Sequence, residues 1–426
     1  MRCLFVLREL PRPVVSVAAA IGGREALSGT HTSGLLVAEG LARRGHAVGV
    51  CILSGQELVD CTFQAFSNLT AASRWIGDDR VIWLSYGDDV ILDKLKSENL
   101  RPIIWTQLPV SRTERMWLES GRITGLITVS DTCRVPLAHS KKHALVGRIY
   151  NPLAPLFAEE MPEPADRYKR RVVAYAGAAG PTKGLHRLLE TWTYVRQLDG
   201  GARLLIAGTG RLYGSARELG EFGIASPEFE ARFVAPIARQ FGSLSAAGIE
   251  SVGLLRPTEL RELYKGASLG VVNMNWDEFT ETFCCAAAEM LASGLPVFSV
   301  ARGALPETIG HSGGAFLTKQ PLPQAAAAEL TSLLNDATRL SSLGRLGRQY
   351  VCSEYGWDDI VDHWINLLNH TSEIEDLAGP WRGPLSMRYF FGRSAGRLGI
   401  PWLLDAATGI LRTVNGFGAN ADATIR

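Results

Sequence analysis

The chain has 426 residues, 46% of them hydrophobic and 20% charged, with a formal net charge of +1. Such a composition describes a globular protein of two or three domains, and its near-neutral balance argues against a general electrostatic grip on nucleic acid, which needs a concentrated basic field. Seven cysteines, scattered and never spaced as CxxC, point to reduced thiols rather than a disulfide framework or a zinc site. The opening MRCLFVLREL breaks its apolar run at Arg8 and Glu9, so it makes a poor signal peptide. No apolar run approaches the ~20 residues that span a bilayer. A cytoplasmic location is expected.

In chain order, RCLFVL (2–7) reads as a short buried strand. The segment 32–53 follows with helical spacing at Leu35, Leu36, Ala38, Leu41 and Ala42, stops at Arg44-Gly45-His46 and resumes as the strand AVGVCIL. Further strands are predicted in 80–86, 101–108, 123–130 and 143–152. The charged, proline-bearing stretch 157–171 lacks periodicity and suits a linker. After it the pattern restarts: strand VVAYAG, loop AAGPTKG, helix LHRLLETWTYVRQL, strand ARLLIAGTG, then the strand LGVVNMN, a helix over 281–293 and the strand LPVFSVA. Segment 350–370 is amphipathic and helical, and it could return towards the first domain. Strands alternating with helices imply parallel, helix-covered sheets. The expectation is α/β, with two facing doubly wound domains at 1–160 and 171–349 and a helical segment and tail at 350–426. Ligands of open α/β sheets sit beyond the carboxyl ends of the strands, so two facing domains would share a cleft.

Two features could carry chemistry. In ETFCCAAAEMLASGLPV (281–297) the carboxylates Glu281 and Glu289 flank small and apolar residues. They are either one Glu favoured by the helix dipole at the helix entrance and one exposed helix Glu, or a pair serving the cleft. The loop YAGAAGPTKG places Gly177, Gly180, Lys183 and Gly184 between a strand and a helix. There backbone N–H groups can approach a phosphate, and Lys183 adds a mobile charge. The glycine-bearing stretch 19–34, containing Gly22, Gly23 and Gly29, either lines the cleft or forms a flexible surface loop. No Asp-x-Asp occurs, so a metal-held diphosphate is not expected.

Taken in order, AYAGAAGPTKGLHRLLE, RLLIAGTG, VGLLRPTELRELYKGAS, ETFCCAAAEMLASGLPVFS and GALPETI resemble the nucleotide-binding domain of the GT-B glycosyltransferases, within them the large retaining group called family 4. In the first half GLLVAEGLARRGHAVGV, ITVS and IYNPL also have counterparts, so the resemblance covers most of 30–370. It implies a GT-B fold and transfer of a sugar from a nucleoside-diphosphate sugar, a substrate rather than a cofactor, with retention and without a metal. The acceptor would be a glycan, a lipid-linked sugar or a small metabolite. By the same resemblance Glu281 touches the donor sugar, Glu289 the ribose, and Lys183 the diphosphate, with Glu281 and Lys183 carrying catalysis. Further donor contacts are implied at Gly22, Gly23, Gly177, Gly184, Gly208, Leu255, Phe283 and Cys284.

The sequence departs from the family pattern in three places. Ala178 stands where the family usually has Arg, so one of two diphosphate cations is missing; Arg211 either compensates or is a solvated loop residue. Gln107 stands roughly where a cleft His is frequent, which limits it to hydrogen bonding on the acceptor side. His31 reads as a capping or loop residue near the acceptor rather than a base. The segment 211–250 is longer than the family leads one to expect. Two rivals remain open: a degenerate GT-B protein that binds a sugar nucleotide without turnover, and another GT-B enzyme such as a nucleotide-sugar epimerase. The tail 380–411 mixes Arg382, Arg388, Arg393 and Arg397 with Trp381, Tyr389, Phe390, Phe391 and Trp402. It either meets an anionic membrane surface peripherally or packs on the first domain.

Overall fold

A computed structural model describes residues 2–369, apart from 86–87, 138–139, 141, 143–144, 161, 212–217 and 277–280. The basic and aromatic tail lies outside the described residues. The first domain is built on a seven-stranded sheet in the spatial order Gln64–Phe66, Ala47–Ile52, Arg2–Leu7, Arg80–Ser85, Ile103–Thr106, Gly125–Thr128, Val146–Arg148. The second has six strands in the order Ile249–Gly253, Arg203–Ala207, Val172–Ala176, Leu269–Val271, Val297–Val300, Ala315–Thr318. Every pairing in both sheets is parallel. Helices cover both faces of such sheets, which is why their central strands are unbroken apolar runs: Cys3, Leu4, Phe5 and Val6 are fully buried, as are Val173, Ala174 and Tyr175. Parallel strands also bring their carboxyl ends to one edge of each sheet, so the loops after Ala176, Ala207, Val271 and Val300 collect along the second sheet and the loop after Thr106 lies along that edge of the first.

One carboxylate joins the two domains. Glu307, on the short helix Leu305–Thr308 of the second domain, is fully buried. Its Oε1 accepts from the Asp131 backbone N–H at 2.6 Å and from the Tyr150 hydroxyl at 3.1 Å. Its Oε2 accepts from the Thr132 N–H at 2.9 Å and the Thr132 hydroxyl at 2.7 Å. All four donors belong to the first domain. Asp131, beside it, is ion-paired to Arg134 at 2.6 Å and Arg148 at 2.8 Å, so two guanidiniums balance two carboxylates. Burial, and then the charge of Asp131, push the Glu307 carboxyl above its usual range against the pull of its N–H donors.

The stretch 157–171, expected as a linker, is anchored. Arg167 is 3% exposed and donates to the carbonyls of Ala267, Tyr264 and Ser293 at 3.0, 2.6 and 3.2 Å. A charged segment can be ordered when each buried guanidinium N–H meets a carbonyl. Segment 350–370, expected to be helical, is divided between the helices Ala337–Glu354 and Trp357–Asn369. Tyr355 leaves the helix because its hydroxyl donates to Thr308 O at 2.5 Å and its carbonyl accepts from Leu153 N–H at 2.7 Å. The last helix then lies on the first domain: Trp357 Nε1 donates to Leu36 O at 2.7 Å, and the Trp364 ring packs 4.7 Å from Trp105 and 6.0 Å from Phe5. No described helix is long and apolar enough to cross a membrane.

Glu307→Ala would leave two buried backbone N–H groups and a buried phenol unpaired, a loss of about 3–5 kcal/mol. Glu307→Gln is expected to cost nearly as much, because its amide N–H groups would face N–H donors. Thermal denaturation checks this; a Gln variant as stable as the parent contradicts the four-donor assignment.

Candidate active site

The site grows from the loops that end the second sheet's strands. Gly184 caps the helix Leu185–Leu198 with φ +67°, and a Cβ there would come within 2.3 Å of Asn275 N. Gly208 has φ +120°, and its Cβ would sit 1.9 Å from Gly177 O. At both positions a side chain has neither the conformation nor the space. The loops after Ala176 and Ala207 thus press backbone to backbone, with Gly177 N–H donating to Ala207 O at 3.1 Å and Gly208 N–H to Gly253 O at 2.7 Å.

Lys183 Nζ donates to Glu281 Oε1 at 2.7 Å, and Asn273 Nδ2 donates to the same oxygen at 3.1 Å. Asn273 is oriented in turn by the Asn275 N–H, 2.9 Å from its Oδ1, and Asn275 Nδ2 reaches Pro181 O at 3.2 Å. Glu281 is consequently 3% exposed. It does not begin a helix, as 281–293 was expected to do; the helix is Cys285–Ala292. Its backbone is held instead by the loop after Val300, where Ala304 N–H donates to Glu281 O at 2.9 Å. The two carboxylates therefore occupy different settings, Glu281 in a loop and Glu289 in the second turn of the helix.

Between the domains lies a cavity lined by Gly23, Gly29, Thr32 and Ser33 from the first domain and by Gly177, Gly208, Leu255, Phe283, Cys285 and Glu289 from the second. Gly29 opens the helix Gly29–Arg43, so two helix N-termini, one from each domain, meet across it. The contact is close: a Cβ on Gly29 would be 3.0 Å from Cys285 Sγ. Lys183, Glu281, Gly22, Gly184, Cys284, Gln107 and His31 are not among the lining residues. Burial raises the Cys284 thiol and pushes that of Cys285 up to about 12, which disfavours the reactive thiolate at both.

Gln107 is buried in a reciprocal amide pair with Asn151, Nε2 to Oδ1 at 3.1 Å and Nδ2 to Oε1 at 2.8 Å. Its carbonyl accepts from Thr282 Oγ1 at 2.7 Å, a second bond across the domains. His31 sits in the first turn of its helix with Nδ1 2.9 Å from Ser28 Oγ, and burial lowers its proton affinity. Arg211 is exposed and adjoins residues that are not described. The long segment folds back on the glycine loops: Glu230 accepts from the N–H groups of Phe222, Ile224 and Ala225 at 2.7, 2.7 and 2.9 Å, and Gly210 N–H donates to Ile224 O at 2.9 Å. Asn273, Asn151 and Glu307 were not singled out from sequence. Their signal was weak, a polar side chain at the carboxyl end of an apolar strand or in the loop beyond it.

Burial pushes the Glu289 carboxyl up from 4.5 to about 8. The folded state therefore keeps a proton that the unfolded chain releases above about pH 4.5. Stability from this group is present below that pH and is lost as pH rises through about 8. Glu289→Gln is expected to leave Tm near the parent's at pH 4.5 and to raise it relative to the parent at pH 8. A Tm difference independent of pH contradicts the assignment.

Residues 157–350 match the family model of the glycosyl transferases group 1. Among curated proteins, spore coat protein SA of Bacillus subtilis is 20% identical over 260 residues, 58% of this chain and 64% of that protein. A GDP-mannose-dependent monoacylated alpha-(1-6)-phosphatidylinositol monomannoside mannosyltransferase of Corynebacterium glutamicum is 25% identical over 197 residues, 46% of each chain. The chain thus spans between about half and two-thirds of the length of these relatives. Among solved structures, a sucrose-phosphate synthase from Thermosynechococcus elongatus superposes with a TM-score of 0.64 at 16% identity, covering 86% of this chain and 98% of that one. Anabaena HepE in complex with UDP-glucose gives 0.61 at 14% identity, covering 87% and 99%. The chain has the GT-B fold, and its second domain is similar to the group 1 glycosyl transferases.

Proposed function

We propose that the protein is a retaining glycosyltransferase of family 4 that moves a sugar from a nucleoside-diphosphate sugar to an acceptor. The observation that carries the reading is the 2.7 Å Lys183–Glu281 pair, whose lysine belongs to the loop that packs Gly177 against Gly208, with Glu289 lining the cavity. In this reading Glu289 takes the ribose hydroxyls and the glycine loops admit the diphosphate. Lys183 and the N–H groups at Phe283 and Cys284 hold its charge, and the Glu281 carboxylate accepts from sugar hydroxyls. The anomeric carbon–oxygen bond to the phosphate breaks as the acceptor oxygen bonds to the same face. The departing phosphate oxygen takes the acceptor's proton, so the chain needs no separate base. The protein's contribution is positioning and stabilisation of negative charge on the leaving diphosphate, with Lys183 rather than a metal supplying the cation.

The acceptor would enter from the first domain's side, near His31 and Gln107. The Anabaena protein's UDP-glucose complex and the Corynebacterium relative's GDP-mannose dependence support a nucleoside-diphosphate donor. The latter's phosphatidylinositol mannoside substrate supports a lipid-linked acceptor, with a cytoplasmic enzyme meeting the membrane peripherally through its tail. A second reading, a sugar-nucleotide binder without turnover, is favoured by the locking of Gln107 onto Asn151.

Donor consumption with an acceptor extract tests both. Glu281→Ala is expected to reduce turnover at least 100-fold while nucleoside diphosphate still binds. Lys183→Ala should lower both donor affinity and rate, in excess EDTA as without it. Parental activity in both variants contradicts the site. Nucleotide binding without consumption by the parent protein selects the second reading.

A further inference from the structure

Tyr264 lies on the helix Pro257–Gly266, is fully buried, and shares the wall of the interdomain cavity with Glu289. Its backbone is fixed by the Arg167 guanidinium, which donates to Tyr264 O at 2.6 Å, and its ring packs 6.1 Å from that of Phe157. Its hydroxyl is buried without a hydrogen-bond partner among the described residues. A phenol O–H left in that state is costly, and such groups in native structures call for an explanation. Burial raises its proton affinity, and the charge that acts on it most is Glu289. Glu289, half-buried on the same wall, has its proton affinity raised by burial alone, and among the described residues its carboxylate accepts no hydrogen bond. An unpaired buried donor and a half-buried carboxylate thus share one wall, on two helices packed against each other.

We propose that Tyr264 is a positioning residue for nucleotide recognition, donating its hydroxyl to the ionised Glu289 carboxylate when that carboxylate takes the ribose hydroxyls. The inference rests on the nucleotide-sugar reading given above and deepens it. One carboxylate oxygen faces the ribose and the other is held by the phenol. The phenol keeps its proton, and Glu289 releases its own to solvent as the nucleoside diphosphate enters. The same bond lowers the cost of ionising a group that burial otherwise keeps protonated near neutral pH.

Isothermal titration of UDP and GDP into the parent, Tyr264→Phe and Glu289→Gln proteins tests the proposal. Tyr264→Phe removes only the hydroxyl, so its Tm should match or slightly exceed the parent's. Its affinity for whichever nucleotide the parent binds should fall about tenfold at pH 7, equivalent to about 1.4 kcal/mol. The deficit should shrink towards pH 9, where Glu289 is ionised before binding, and should vanish with the 2′,3′-dideoxy nucleotide. A deficit that is independent of pH and ribose means the phenol acts only in packing and overturns the proposal. Parental affinity in Tyr264→Phe with weakened binding in Glu289→Gln overturns it while leaving the site intact. Equal affinity in all three proteins, or no binding of either nucleotide by the parent, overturns the nucleotide site itself.

Discussion

A carboxylate that leaves one domain to satisfy the backbone of the other sets the geometry on which the rest depends. Two sheets that each bury their own core have no inherent reason to face one another at a fixed angle, and contacts between domains are usually small and polar. Glu307 supplies the reason. Its four donors lie in the first domain, and none can be solvated where it sits. The loop that carries it, 302–308, also holds the Glu281 carbonyl through Ala304. The contact that sets the domains together therefore also fixes the backbone beside the ion pair with Lys183. Thr282 and the Gln107–Asn151 pair add a second link a few residues away.

Within that frame the site is a set of charges arranged so that each is answered inside the protein. Lys183 and Asn273 share one oxygen of Glu281, and a donor offering phosphate to the ammonium and hydroxyls to the carboxylate would replace one contact by two. Glu289 follows the opposite course. Among the described residues it has no ion-pair partner, burial favours its neutral form, and a ligand able to donate hydrogen bonds to it favours its charged form. Two carboxylates eight residues apart thus differ in chemistry because one is in a loop paired with a lysine and the other on a helix lining the cavity.

Much of this was legible in sequence, and the illegible part follows a pattern. Unbroken apolar runs such as 2–7 and 172–176 identified parallel, two-sided strands, and the glycine loop with Lys183 was visible because backbone approach restricts residue choice there. Glu281 and Glu289 stood out as carboxylates among small residues. What sequence did not reveal was pairing between distant residues. Nothing local marks Glu307 as the partner of residues about 175 positions earlier, nor Arg167 as the anchor of a charged segment that reads as a linker. The helix start shifted from 281 to 285 for the same reason, since tertiary bonds to Ala304 and Lys183 outweigh a local pattern that favours helix. Periodicity reports burial on one element; it is silent about which carbonyl or N–H on another element answers a buried charge.

The central claim is that the cleft between the domains receives a nucleoside diphosphate on the glycine loops and at the start of the Cys285–Ala292 helix. Amide hydrogen exchange of the parent protein with and without saturating UDP or GDP measures this directly. The account predicts slowed exchange concentrated in 177–185, 208–210 and 282–289, with strands remote from the cleft unchanged. Protection confined to other segments, or none with either nucleotide, would contradict it.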